Sequence, residues 1–213
     1  MSDPFSKERI QAAYDAVARD YQAAFGDDLD RLPLDRRMLD ETRRTAERGL
    51  ILDVGCGTGS AGSYLSKTGA RVVGLDLSFG MLRSVRAGPQ FPVCQGDMRC
   101  LPFGDEAFAA VVAYYSVQHV ARSEVGSVFA EMVRVLSPGG TLLLATHLGQ
   151  GEVYTQEFLG HRIATAGGTL YSPSEIADRM SSAGLTIRTA ETRGPLEHEH
   201  QSQRLYLMAT RPD

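Results

Sequence analysis

Ile51-Leu52-Asp53-Val54-Gly55-Cys56-Gly57-Thr58-Gly59 decides the fold of this 213-residue chain. A short apolar run of strand character passes into three glycines at alternate positions, and a helical stretch follows over 59–68. Glycines at such a turn let the backbone bend sharply and let a ligand approach main-chain N–H groups at a helix N-terminus. The dinucleotide pattern G-x-G-x-x-G can be found as Gly57-Thr58-Gly59-Ser60-Ala61-Gly62, but it begins two residues beyond the glycine that follows the strand. Started at Gly55 it fails, because Ser60 stands where the third glycine belongs. Asp53, two places before Gly55, would also repel a pyrophosphate. The alternative D-x-G-x-G-x-G matches at every fixed place.

Outward from the turn, short apolar runs alternate with helical spacing. Leu50–Val54, Arg71–Asp76, Phe91–Gln95, Phe108–Ala113 and Thr141–Thr146 read as strands, with helices over 59–68, 78–87 and 122–136. Strand, helix, strand repeated in this way predicts a parallel sheet with right-handed crossovers, and strands apolar throughout predict helices on both faces. Before this core, Ile10, Ala13, Tyr14, Val17, Ala18 and Tyr21 share one face of a helix over 6–25, and a second charge-rich helix runs to about Arg48. After it, 148–172 reads as a long irregular insert, with Gly149, Gly151, Gly160, Gly167 and Gly168. Ser172-Pro173-Ser174-Glu175 then opens a helix, Ser172 as N-cap and Glu175 completing a capping box. Leu185–Thr189 and Arg204–Ala209 read as closing strands.

Two more strand ends carry carboxylates. Asp76 ends Val72-Val73-Gly74-Leu75-Asp76, 21 residues after Gly55, where an acceptor-only group can take hydrogen bonds from both hydroxyls of a ribose. Ser78 is placed to cap the next helix. In Gln95-Gly96-Asp97-Met98, Asp97 can accept from an exocyclic adenine amine while Met98 covers the ring. Three carboxylates at three successive strand ends lie on the edge where such sheets bind ligands.

Composition narrows the function. Lys plus Arg is 22 against Asp plus Glu 26, a net charge of −4, which argues against nucleic acid as a main partner. The longest near-apolar run, Ala107–Val117, is too short to cross a bilayer. Ser2–Tyr14 is mixed polar and unlike a secretory leader, and Cys56, Cys94 and Cys100 form no C-x-x-C pair. A soluble cytoplasmic protein is expected.

Taken together, ILDVGCGTG, GLDLS, QGDM with LPF, and LSPGG resemble a class I S-adenosylmethionine-dependent methyltransferase of the small-molecule, ubiquinone/menaquinone methyltransferase-like branch. The resemblance is close over about residues 10–147 and topological beyond. It implies a Rossmann-like α/β fold: a seven-stranded mixed sheet of order 3-2-1-4-5-7-6, strand 7 antiparallel, with helices on both faces. The whole of 1–213 is then one domain, comprising an N-terminal helical lid (1–48), a cofactor-binding core (49–147), a substrate-side insert (148–172) and a closing helix and strands (173–213). It further implies that Gly55, Gly57 and Gly59 border the methionine part of S-adenosylmethionine and that Asp76 holds the ribose. Asp53, Leu77, Met81, Gly96, Asp97, Met98 and Tyr114 complete the cofactor site. Tyr14 and Tyr21 match a Y-D-x-x-A-x-x-Y helix that closes over it. Ala109 and Ser137 depart from the usual pattern, where Asp and a Lys or Arg are common.

The implied reaction is in-line methyl transfer to a small-molecule O-, N- or C-nucleophile. The prevalence of Arg over Lys, a bias common in GC-rich genomes, points to specialised metabolism. For an acceptor that must lose a proton, His119 after strand four is the first candidate base and His147 after strand five the second, with Tyr114 and Tyr115 shaping an acceptor pocket. No metal is expected, since no Asp lies between Asp105 and Asp178 to build an oxygen cluster, and the Glu197-His198-Glu199-His200 run reads as a solvated loop. Competing readings are a protein or nucleic-acid methyltransferase, a non-catalytic S-adenosylmethionine-binding subunit, and a nicotinamide-dependent oxidoreductase. Oligomeric state has no signature in the sequence.

Overall fold

In the computed structural model, which describes residues 3–26, 28–85, 91–197 and 199–213, Leu50–Val54 forms the central strand β1 of a seven-stranded sheet. The parallel strands β2 (Arg71–Asp76) and β4 (Phe108–Tyr114) flank it, with β3 (Val93–Gln95) outside β2 and β5 (Leu136–His147) outside β4. A separate hairpin, β6 (Glu152–Phe158) and β7 (His161–Thr169), follows. β9 (Arg204–Thr210) then inserts antiparallel beside β5, and β8 (Thr186–Arg193) forms the edge. The order β3-β2-β1-β4-β5-β9-β8 is the expected 3-2-1-4-5-7-6 once the hairpin strands are numbered.

Successive residues of these strands point to opposite faces and enter different cores. Leu52, Val111, Leu142 and Leu207 join the core beneath α5 (Val125–Val135) and α6 (Pro173–Ser182). Ile51, Val112, Leu143 and Met208 join that beneath α2 (Pro33–Ala46) and α3 (Ser60–Lys67). Of the two N-terminal helices, only α1 (Lys7–Phe25) covers the strand ends. Its Ile10, Ala13, Val17 and Ala18 pack against Ala166 and Ile163 of the hairpin and Met81 of α4 (Phe79–Ser84). α2 instead sends Met38 and Leu39 into the sheet core.

Several local expectations change. The insert is not irregular: β6 and β7 pair over most of 152–169, and Leu159 (φ +48°) with Gly160 (φ +78°) makes the two-residue turn. Consecutive positive φ values suit such hairpins, but Leu-Gly lacks the Asn-Gly or Asp-Gly signature, which is why the sequence hid it. β5 begins earlier than the expected Thr141, at Leu136-Ser137-Pro138-Gly139-Gly140, with a register shift opposite Phe108–Ala110 and Gly139 at φ +72°. Ser172 Oγ does cap α6 by accepting from Glu175 N, but the Glu175 carboxylate pairs with Arg122 instead of closing a capping box. Helix α4 ends at Ser84, and 86–87 of the expected 78–87 helix lie outside the described residues.

Candidate active site

A cavity of about 690 Å³ opens at the carboxyl ends of β1 to β5, roofed by α1 and the hairpin. Its lining includes every residue expected to bind the cofactor or perform chemistry except Gly59, which stands behind it as N-cap of α3.

The glycine turn is shaped from both sides. The N–H groups of Gly55 and Cys56 both donate to Leu75 O of β2, at 2.7 and 3.0 Å. Gly55 sits at φ +69°, and a Cβ there would lie 2.3 Å from Ser116 Cβ, so only glycine fits. Gly57, at φ +55°, has open space where a Cβ would be. Asp76 accepts from Gly57 N (2.7 Å) and Ser78 N (2.8 Å); burial raises its pKa, and these backbone donors oppose the rise. Ser78 in turn caps α4 through Met81 N. Asp53 is fully buried, its Oδ2 accepting from Gly62 N at 2.9 Å while Oδ1 has no partner. Burial lifts its carboxyl to about 7. Asp97 accepts from Arg99 N and pairs with the Arg99 guanidinium, which also donates to Phe5 O.

The lid is latched at the cavity. Tyr14 Oη lies 2.6 Å from His119 Nε2, and His119 Nδ1 lies 3.4 Å from Gly167 O of β7. Burial holds the Tyr14 phenol well above its usual range and lowers His119 to about 4. Tyr14 therefore donates, His119 is neutral with its proton on Nδ1, and both ring nitrogens are occupied. Asp15, the acidic residue of the Y-D-x-x-A-x-x-Y match, adds a second tie, because its Oδ1 accepts from Ser78 Oγ (2.6 Å) and Gly80 N (2.7 Å) of the α4 turn.

Behind the acceptor end lies a buried polar cluster that the sequence did not reveal. Asp35 of α2 accepts from Tyr114 Oη, Tyr206 Oη (2.7 Å) and Arg193 Nε (3.3 Å). Tyr206 spends its proton on Asp35, so Tyr115 Oη donates to Tyr206 Oη at 2.7 Å. Burial first, then the Asp35 charge, holds the Tyr115 phenol far above its usual range. Tyr115 is thus a protonated wall residue whose hydroxyl is turned away from acid–base work.

The Glu/His run is likewise not simply solvated. Glu199 accepts from Arg193 Nη1 (2.6 Å), Arg193 Nη2 (2.8 Å) and Leu196 N (2.7 Å), and it lies 3.6 Å from Arg204 Nη2. These donors outweigh burial and hold its carboxyl near 2. Arg204, only 3% exposed, donates to the carbonyl oxygens of His200 and Ser202. His147 Nδ1 lies 2.7 Å from Ser202 Oγ, and its ring stacks at a tilt on Tyr115. Burial, then the Arg204 and His200 charges, lower His147 to about 4. His198 of this run lies outside the described residues. Among the described residues, no helix is long and apolar enough to cross a membrane.

Comparison with known proteins fits this geometry, since residues 52–144 match the family model described as a methyltransferase domain. Residues 52–144 are thus similar to a methyltransferase domain. Curated relatives include demethylmenaquinone methyltransferases of Renibacterium salmoninarum (36% identical over 130 residues, 58% of this chain and 54% of the relative) and Thermobifida fusca (34% over 153 residues, 63% and 64%). The chain spans between about half and two thirds of the length of these relatives. Among solved structures, the DhpI–SAH complex superposes with TM-score 0.75 at 20% identity, covering 99% of both chains. The [4+2]-cyclase SpnF superposes with TM-score 0.76 at 18% identity, covering 97% of both. A methyltransferase of Mesorhizobium loti gives 0.65 at 20%, covering 82% of this chain and 96% of its own. A fold shared with a cyclase does not choose the chemistry, which must be argued from the cavity.

Proposed function

We infer that the chain transfers a methyl group from S-adenosylmethionine to a small-molecule acceptor. The observation that carries this reading is the pairing, on one cavity floor, of the unpartnered Asp53 Oδ1 with the backbone-pinned Asp76. An orphaned buried carboxylate oxygen is costly unless a donor or cation meets it, and S-adenosylmethionine brings an ammonium and a sulfonium. Asp76, with each oxygen already holding one backbone donor, keeps lone pairs for a ribose diol. Leu77, Met81 and Met98 line the cavity as apolar cover for a base, beside Asp97.

When bound, S-adenosylmethionine supplies a methyl group that is already electrophilic. The protein's part is then to align the acceptor and exclude water, and orientation of this kind is worth about 7–11 kcal/mol. α1 and the hairpin close the cavity, and the Tyr14–His119–Gly167 chain holds them together. Tyr115 forms an aromatic wall. With both nitrogens of His119 engaged and Tyr115 turned onto Tyr206, His147, which lines the cavity and bonds Ser202 through Nδ1, is the remaining candidate of the three. It takes the place of the general base for an O–H or N–H acceptor.

A net charge of −4 supports a small metabolite as acceptor over nucleic acid. Three free cysteines, Cys56, Cys94 and Cys100, support a reducing cytoplasmic setting.

Isothermal titration with S-adenosylmethionine and S-adenosylhomocysteine tests the reading. The wild type binds both, and Asp76→Ala, folded by circular dichroism, loses on the order of 100-fold in affinity, as expected for two charge-assisted bonds. No binding by the wild type overturns the reading. Unchanged affinity in Asp76→Ala overturns the ribose assignment.

A further inference from the structure

Ser202 Oγ lies between two imidazoles, 2.7 Å from His147 Nδ1 and 3.2 Å from His200 Nδ1. Both rings line the cavity, His147 at the end of β5 and His200 on the loop before β9, where it is also exposed to solvent. We propose that Ser202 is a positioning residue that relays the acceptor's proton from His147 at the cavity to His200 at the surface. The proposal rests on the methyl-transfer reading and adds to it the route by which the proton leaves.

A hydroxyl has one proton to donate and lone pairs to accept with. It cannot donate to two bare Nδ1 atoms, and when its own proton is used between the rings it donates to one and accepts from the other, which gives them opposite tautomers. In the productive arrangement His147 carries its proton on Nδ1 and donates to Ser202 Oγ, which donates to the bare Nδ1 of His200. His147 Nε2 is then a lone pair facing the cavity.

As the acceptor's oxygen or nitrogen bonds to the methyl carbon, the sulfur–carbon bond breaks with its electron pair left on sulfur. The acceptor's proton passes to His147 Nε2, the His147 Nδ1 proton to Ser202 Oγ, and the Ser202 proton to His200 Nδ1. His200 Nε2 releases its proton to water, and the charge balance closes. The surroundings give this route its value. Arg204, His119, His200 and Glu199 act electrostatically on His147, Tyr115 packs against it, and the balance with burial is strongly against an imidazolium. A base that hands on its Nδ1 proton as it gains one at Nε2 never becomes an imidazolium, so the low basicity of His147 does not stop it.

The loop is built to hold this alignment. Arg204 clasps the carbonyls of His200 and Ser202, and Glu199, gripped by Arg193, lies beside the Arg204 guanidinium. The His147 ring plane is further set by the tilted contacts with Tyr115 (5.1 Å) and His200 (5.6 Å).

The test needs no knowledge of the acceptor. Long-range proton–nitrogen NMR on ¹⁵N-histidine-labelled full-length protein, assigned with His147→Gln and His200→Gln, reads each ring's tautomer. The wild type shows His147 protonated on Nδ1 and His200 on Nε2. Ser202→Thr retains both tautomers, and Ser202→Ala removes the preference of His147 for a proton on Nδ1. A wild-type His147 protonated on Nε2 at neutral pH, or tautomers that do not respond to Ser202→Ala, overturns the relay. S-adenosylhomocysteine titrated into the same samples separates the two claims: failure to shift any cavity histidine counts against the methyl-transfer reading, whatever the tautomers show.

Discussion

Tyr14 Oη donates to His119 Nε2 at 2.6 Å across 105 positions of sequence, tying the N-terminal helix to the turn after β4. The same imidazole reaches Gly167 O in the hairpin, so one neutral ring joins three elements that have no strand pairing with one another. α1 and the hairpin roof the cavity, and this ring bonds to both.

Tyr14→Phe keeps the aromatic packing on Tyr21 and Phe158 but leaves His119 Nε2 without its donor. Because His119 borders the cavity, the expected cost is at the low end for a lost hydrogen bond, about 1 kcal/mol. That lowers Tm by about 2–4 °C in a chain of this size. Hydrogen exchange should rise selectively in Lys7–Phe25 and the hairpin while the sheet is unaffected; uniform protection would show that the latch holds nothing.

Asp35 is a stronger anchor. It is fully buried, and Tyr114, Tyr206 and Arg193 all donate to it. Asp35→Ala leaves two phenols without their acceptor while Arg193 keeps Glu199, a loss on the order of 3 kcal/mol, read as a shift in the urea midpoint. A loss below about 1 kcal/mol would mean that water replaces the carboxylate and that the acceptor wall does not depend on it.

The sequence made the cofactor end of this site legible and the acceptor end obscure, for a physical reason. The glycine turn, Asp76 and Asp97 are local solutions: a strand end, a turn and a helix start, each specified by a few adjacent residues. Positive φ at Gly55 and the Ser78 cap could be read from neighbours alone. The acceptor end is assembled from distant pieces. Asp35 meets Tyr206 across 171 positions, and Arg193 meets Asp35 across 158, so no spacing rule reaches them. Glu199 and His200 carried a visible pattern, but only the β9–β5 pairing brings Arg204 opposite His147 and places that pattern at the cavity. The hairpin was missed for a third reason, since its turn uses Leu159 at positive φ where Asn or Asp is the usual signal.

Gly55 and Gly57 should separate folding from binding. In Gly55→Ala the new Cβ meets Ser116 Cβ at 2.3 Å, and Ser116 cannot yield freely because its Oγ donates to Val54 O at 2.7 Å. Overpacking and positive φ together cost about 3 kcal/mol or more. In Gly57→Ala the Cβ enters open space, so only backbone strain of about 1–2 kcal/mol remains. Chemical denaturation should find Gly57→Ala about 1–2 kcal/mol below wild type and clearly more stable than Gly55→Ala, while calorimetry finds its S-adenosylhomocysteine affinity reduced. Equal destabilisation of both variants would contradict this division of roles.

Asp53 makes the affinity for the cofactor depend on pH, with a definite sign. Its carboxyl titrates at about 7 in the folded chain against a reference value of 3.8, because burial disfavours the charge more than the Gly62 N–H supports it. Between those values the folded form binds a proton that the unfolded form has released. Asp53 therefore weakens the unliganded fold as pH rises from about 4 to 7, by as much as roughly 4 kcal/mol. A cationic ligand reverses the preference, since it favours the ionised carboxylate. The ammonium of S-adenosylhomocysteine stays protonated below pH 7, so binding there must expel the Asp53 proton. Affinity should climb by up to about tenfold per pH unit toward pH 7 and then level off. Titrations in buffers of different ionisation enthalpy should register close to one proton released at pH 6. Asp53→Asn should stabilise the unliganded protein above pH 7, bind more weakly, and show neither the slope nor the proton. A flat pH profile in the wild type would place the ligand's positive charge away from Asp53 Oδ1, and with it remove the reason this buried oxygen is left without a partner in the protein.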